Sequence, residues 1–343
     1  MRLVLGGHGA PGQVGWCLRR AADQLGLSVT WLDERLFFAG NMAHIPGRAL
    51  TWGLAHSVLP YVAYNLALLQ RARSAQPDVI LLVKGARVWP STLRALRKSS
   101  SAVLALYCTD DPYNLQASPP SVRAGLRFYD LIATSKRPSM HQVERVSGTK
   151  VRYVPLGYDP ALYYPTQPTP AQRARWGSDL VFVGAFDRDR HVALEQVSRA
   201  AVESGWRLRI WGARWHHLPS ASPVAPFVTR RILPPRLVRL ALACSSVALG
   251  FVRHANRDTH AMRTFEIPAT RTFMLAERTA EHRTLFGEDQ GAALFDTPEE
   301  LVTRIRHFLP DEESRQQIAA EGHRRVVQGQ HTYHHRLVEI LTA

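Results

Sequence analysis

Cysteine is scarce in this chain. Its 343 residues hold three, Cys17, Cys108 and Cys244, far apart and without a CxxC pair. That argues against a disulfide framework and a cysteine-built zinc site, and suits a reducing cytoplasm. Acid is scarce too, with 28 Asp and Glu against 43 Lys and Arg and a net charge of +15. The deficit is local: between Glu34 and Asp110 the only acid is Asp78, against Arg35, Arg48, Arg71, Arg73, Lys84, Arg87, Arg94, Arg97 and Lys98. Such a field favours an anionic partner (nucleic acid, acidic lipid or a phosphorylated acceptor), although a basic solvated face would read the same way. The opening "MRLVLGGHGAPG" is a strand and a glycine turn and lacks the long apolar region of a secretory leader. What the chain has is ordinary globular composition, 45% hydrophobic and 21% charged, at a length that suits two domains.

Charge disappears altogether from Ala49 to Gln70, "ALTWGLAHSVLPYVAYNLALLQ". The run is long enough to span a bilayer, but Thr51, His56, Pro60 and Asn65 disfavour that. Two packed helices broken at Pro60 are expected. Peripheral membrane contact through residues 49–70 is the alternative, with Trp52, Tyr61 and Tyr64 at the interface and Arg48, Arg71 and Arg73 flanking.

The rest alternates. "RLVLGG", "SVTWLD", "PDVILLVKG", "AVLALYCTDDP", "LIATSK" and "VRYVPLG" read as strands, with amphipathic helices such as "VGWCLRRAADQLG" and "PSTLRALRKSS" among them. The unbroken apolar run of "VILLV" is that of a parallel strand covered on both faces. Prolines 155, 160, 165, 168 and 170 then mark a linker, after which "DLVFVGAF", "RLRIWGAR", "VALGFV" and "TFMLAE" start a second alternation. The expectation is an α/β chain of two Rossmann-like, doubly wound domains, with a ligand cleft at the carboxyl ends of both sheets. The boundaries read as 1–158 for the first domain, 159–176 for the linker, 177–325 for the second domain and 326–343 for a C-terminal helix.

Four places could carry chemistry. In "DLVFVGAFDRDRH" a strand ends at Gly184 and a helix starts near His191, so backbone amides with Arg188 and Arg190 could bind phosphate. In "MRTFEIPAT", Arg263 and Glu266 stand three apart on one helix face. Arg263 could reach a diphosphate and Glu266 a ribose, or the two could simply pair with each other. Asp258, eight residues earlier, could be a second acid at the site or a cap. In "YCTDDPYN", Asp110 or Asp111 could act as a general base or contact the acceptor, or form a turn before Pro112. In "GGHGAPG" the glycines fit a dinucleotide loop only loosely, and His8 could touch a sugar or acceptor or be a satisfied loop histidine. The "HTYHHR" run at 331–336 reads as helix surface without a metal role.

From residue 78 onward, the blocks "LLVKG", "LYCTDDPYN", "YVPLGYDPALYYP", "DLVFVGAFDRDR", "LRIWGARW", "MRTFEIPATRTFMLAERT" and "LFDTPEELVTRIRHFL" stand in an order that resembles CgeB-like glycosyltransferases. They are also similar to blocks of phage DNA β-glucosyltransferases. The resemblance implies the GT-B fold, two Rossmann-like domains facing a central cleft, and transfer from a nucleoside-diphosphate sugar without a cofactor or metal. By motif position it implies ribose binding by Glu266, diphosphate binding by Arg263 and Arg190, and an inverting base at Asp110. The family's Glu-x7-Glu pair has Asp258 at its first position here. The implied acceptor is a surface glycan or a membrane-linked intermediate. A hydroxymethylated base in DNA comes second, and a non-catalytic nucleotide- or nucleic-acid-binding protein is the reading of a different class.

Overall fold

The computed structural model describes residues 1–38 and 58–342. The chain divides into two compact units, Met1–Pro155 with Tyr333–Ala343, and Leu156–Thr332.

The first unit contains β1 (Arg2–Gly7), α1 (Val14–Gln24), β2 (Ser28–Asp33), α2 (Arg35–Phe38), α3 (Leu59–Ala75), β3 (Val79–Val83), α4 (Pro90–Ser99), β4 (Val103–Cys108), α5 (Pro120–Gly125), β5 (Leu131–Thr134), α6 (Met140–Ser147) and β6 (Val151–Tyr153). The six strands are all parallel, in the order β2-β1-β3-β4-β5-β6. Val4, Ile80, Leu82, Leu104 and Leu106 project into one core with Tyr64, Leu68, Leu93 and Leu96 of α3 and α4. The apolar runs of β3 and β4 are therefore buried, as strands with covered faces must be.

Pro60 stands at the start of the second of the two expected helices. It lies in the first turn of α3, where its missing N–H has no partner to lose. The expected companion helix, with Trp52, lies outside the described residues; of the aromatic residues expected at a membrane interface, Tyr64 is instead buried in the core and the Tyr61 hydroxyl pairs with Arg87. No described helix is long and apolar enough to cross a membrane.

The second unit contains α7 (Pro170–Trp176), β7 (Ser178–Val183), α8 (Arg188–Ser204), β8 (Leu208–Trp211), β9 (Val228–Thr229), α9 (Pro235–Ala243), β10 (Ser245–Gly250), α10 (Met262–Ala269), β11 (Met274–Glu277), α11 (Ala280–Phe286), β12 (Ala293–Phe295), α12 (Pro298–Phe308) and α13 (Glu312–Gln328). Its six parallel strands run β12-β11-β10-β7-β8-β9. Leu180, Leu194, Val197, Ile210, Val247, Leu275, Leu301 and Ile305 fill the core. Thr297 and Asp311 cap α12 and α13 through their side chains, and each helix has two glutamates in its first turn, complementing the helix dipole. A last helix, α14 (Tyr333–Leu341), packs on α1 in the first unit.

Candidate functional site

Strand order locates the crevice in each sheet. A doubly wound sheet opens where the winding direction reverses, at the carboxyl ends of two adjacent strands. In the second unit this point is between β7 and β10. Arg263 Nε donates to the carbonyl of Val183, the last residue of β7, at 3.1 Å. Arg190 Nη1 reaches the Ala185 carbonyl at 3.3 Å, and its Nη2 the Phe251 carbonyl, just beyond β10, at 3.4 Å. Both arginines therefore stand at the switch point.

Their environments differ. Arg263 is half-buried and ion-paired with Glu266 one turn along α10, and its Nη1 lies 3.5 Å from the Tyr163 hydroxyl. Glu266 is 1% exposed, and its Oε2 accepts no well-directed hydrogen bond although the guanidinium touches it. Arg190 is 9% exposed. Its carbonyl contacts are long, its Nε finds no partner among the described residues, and no ion pair holds it there. Burial pulls its pKa down, and the charges of Asp187, Asp258 and Glu277 only partly oppose this. A buried cation with spare donors is costly. An anion bound at the switch point would relieve that cost.

Gly184 serves packing. A Cβ there would lie 2.4 Å from the Phe182 ring, and one on Gly212 would lie 2.0 Å from the Gly184 carbonyl, so the loops after β7 and β8 touch backbone to backbone. The start of α8 is already capped, because Asp187 accepts the Asp189 amide at 3.2 Å. Arg188 is exposed on the first turn of that helix. Asp258 is partly buried, accepts from Asn256 Nδ2 at 2.7 Å and lies 3.7 Å from Arg253, and it does not cap α10, whose N-cap is Ala261.

Two residues that sequence reasoning passed over support the site. Glu277 closes β11, accepts the Val252 amide at 3.2 Å and meets His254 at 3.1 Å; burial raises its pKa. An acid at the end of the apolar run "TFMLAE" was the available signal. Buried His282 joins α10 to β11: its Nε2 is 2.8 Å from Thr264 Oγ1 and its Nδ1 is 2.6 Å from the Glu277 carbonyl. A carbonyl only accepts, so Nδ1 carries the proton and Nε2 accepts from the threonine. No local motif marks such a residue.

In the first unit the winding reverses between β1 and β3. Lys84 follows β3 with a left-handed φ of +65°, and its Nζ pairs with Asp110 Oδ2 at 2.8 Å. Asp110 is 8% exposed. Asp111 is buried, and its Oδ1 accepts the Tyr113 amide at 3.1 Å, the turn geometry expected before Pro112. His8 is exposed after β1, its Nδ1 accepts from the Ala10 amide at 3.3 Å, and partial burial lowers its pKa. Asp33, at the end of β2, accepts the Gly9 amide at 3.0 Å and pairs with Arg35 at 2.8 Å. The position that would hold a dinucleotide's ribose is thus filled by the loop itself.

Residues 188–342 match the family model of glycosyl transferase-like proteins. No curated protein sequence matches the chain. Among solved structures, the sucrose-phosphate synthase of Thermosynechococcus elongatus is 13% identical, with 100% of this chain and 98% of that one covered and a TM-score of 0.72. A UDP-forming trehalose-phosphate synthase from Burkholderia xenovorans is 14% identical, with 100% and 99% covered and a TM-score of 0.65. A protein described as a UDP-N-acetylglucosamine 2-epimerase from Listeria monocytogenes is 11% identical, with 100% and 95% covered and a TM-score of 0.60. The chain has the GT-B fold. At such identities likeness carries the fold alone, and these three proteins already differ in chemistry.

Proposed function

We propose that this protein is a glycosyltransferase that moves a sugar from a nucleoside-diphosphate sugar to an acceptor hydroxyl. The observation that carries the reading is the pairing of opposite needs at the β7/β10 switch point. Arg190 is a buried cation with an unpartnered Nε, and Glu266 is a buried carboxylate with an underused oxygen. A nucleoside diphosphate answers both, with phosphate oxygens for the guanidinium and ribose hydroxyls for the carboxylate. The match of residues 188–342 to glycosyl transferase-like proteins supports the same reading.

In this mechanism Arg190 and Arg263 stabilise the charge that builds on the departing diphosphate. Glu266 holds the ribose, and Arg263 exchanges part of its contact with Glu266 for phosphate. Asp110 takes the proton of the acceptor hydroxyl as it attacks the anomeric carbon, giving an inverting displacement. No metal or cofactor is assigned to these steps. The basic first half favours an anionic acceptor of any kind, and the block order that resembles CgeB-like enzymes favours a surface glycan or membrane-linked acceptor over DNA.

One observation favours a second reading, retention, in which Asp110 is structural: it is largely buried and already pairs with Lys84. Asp110→Asn, assayed for transfer from labelled nucleotide sugars, distinguishes the two. As the base, its loss lowers kcat about 100- to 10,000-fold with donor binding intact, and the wild-type product has inverted configuration. A retained product made at an undiminished rate removes the base assignment and leaves the donor site standing.

A further inference from the structure

A cavity wholly within the second unit lies away from the crevice just described. About 600 Å³ in volume, it is lined at the amino ends of β10 and β11 by Ser246, the turn after α10, the start of α13, Arg173 of α7 and the segment 165–167. Strand β10 has six residues, so this cavity and the Phe251 carbonyl that meets Arg190 are separated by about 20 Å of extended chain.

Its charge is one-sided. Arg173, Arg271 and Arg315 line it against a single acid, Glu312, so the lining is net positive. Glu312 accepts from Gln316 Nε2 at 2.8 Å. Arg315 is occupied, since its Nη1 donates to the carbonyls of Phe308, at 2.6 Å, and Leu309. Arg173 and Arg271 have no side-chain hydrogen bond or ion pair among the described residues.

Arg271 is also conformationally expensive. It follows the α10 C-cap Thr270 with a φ of +57°, the left-handed position that glycine ordinarily fills after a helix. The backbone there accepts a side chain's strain and presents a guanidinium to the cavity. Around the cations, Ser246, Gln167 and Gln316 supply neutral hydrogen-bonding groups. Charge suits a phosphate, the neutral groups suit hydroxyls, and the volume suits a molecule of sugar-phosphate size.

We infer that this cavity is a second ligand site, for a small phosphorylated, hydroxyl-bearing molecule, separate from the donor crevice. Arg173 and Arg271 bind the phosphate, and the serine and glutamines bind hydroxyls.

The test is calorimetric titration of ribose 5-phosphate, inorganic phosphate and ribose into the full chain, its Arg271→Gly variant and the Arg173→Ala/Arg271→Gly double variant. Wild type should bind ribose 5-phosphate at one site with submillimolar affinity, at least tenfold tighter than phosphate, and ribose not measurably. Arg271→Gly should weaken ribose 5-phosphate at least tenfold while holding or raising the thermal midpoint, because glycine relieves the left-handed strain. A folding defect therefore cannot imitate the result. The double variant should abolish binding and leave nucleoside-diphosphate binding unchanged. Absence of binding to wild type, or equal binding by Arg271→Gly, overturns the inference without touching the donor-site reading.

Discussion

Acidification should open the donor side of the second unit through a single histidine. His282 is buried, and burial lowers its pKa from 6.5 to about 4. The Glu277 carbonyl opposes the shift, His260 adds to it and Glu281 counteracts it. Since the folded state holds the lower pKa, the unfolded state binds more protons between about pH 4 and 6.5. The neutral imidazole's contribution is therefore complete above pH 6.5 and lost as pH falls toward 4. At about 1.4 kcal/mol per pH unit, the gap amounts to about 3 kcal/mol. Burial is the main cause, and a proton on Nε2 would also displace the donation that this atom now accepts from the Thr264 hydroxyl. His282→Gln removes the titration while keeping a donor and an acceptor. Hydrogen exchange of peptides spanning 262–277, corrected for intrinsic chemistry, reads the opening free energy from pH 4 to 7.5. Wild type should lose protection with a slope of up to about 1.4 kcal/mol per unit relative to the variant. Parallel profiles would refute the assignment of a buried, neutral His282.

Other consequences follow from the same geometry. Arg190→Met should weaken nucleoside-diphosphate binding about 10- to 100-fold in calorimetry, the scale of a charge-assisted contact. The same variant should hold or raise the thermal midpoint, since it removes a buried charge that has no ion-pair partner among the described residues. Gly212→Ala should destabilise by about 2–4 kcal/mol in denaturant unfolding, because φ is +145° and the new Cβ would press on the Gly184 carbonyl; an unchanged midpoint would contradict the packing role given to that glycine pair.

Much of the fold was legible because periodicity and burial coincide. The unbroken run of β3 is a covered central strand, and the i,i+3 spacing of Arg263 and Glu266 does put them on one helix face in contact. Asp111 as a turn residue and Asp110 as a strand-end acid were likewise alternatives visible in "TDDPYN". What sequence concealed depends on tertiary distance or backbone angle. Nothing in "LLVKG" announces that Lys84 takes a left-handed φ and meets Asp110, 26 residues on. Nor does "SVTWLD" announce that the Asp33 carboxylate is occupied by the loop amide of Gly9 and by Arg35. Nothing in "VFVGAF" announces that Gly184 leaves room for the Phe182 ring, or that Gly212 leaves room for the Gly184 carbonyl. The amino-end cavity could not be read at all, because its walls come from segments scattered from Pro165 to Ala319.

The central claim is that the β7/β10 switch point binds a nucleoside diphosphate through Glu266 and its neighbouring arginines. Calorimetric titration of UDP, GDP, dTDP and NAD into wild type and Glu266→Ala tests it most directly. The account predicts selective binding of one nucleoside diphosphate, weakened at least tenfold in the variant, and no binding of NAD. Binding of none of them, or equal binding by Glu266→Ala, would contradict it and leave the Arg263–Glu266 pair as an internal ion pair of α10.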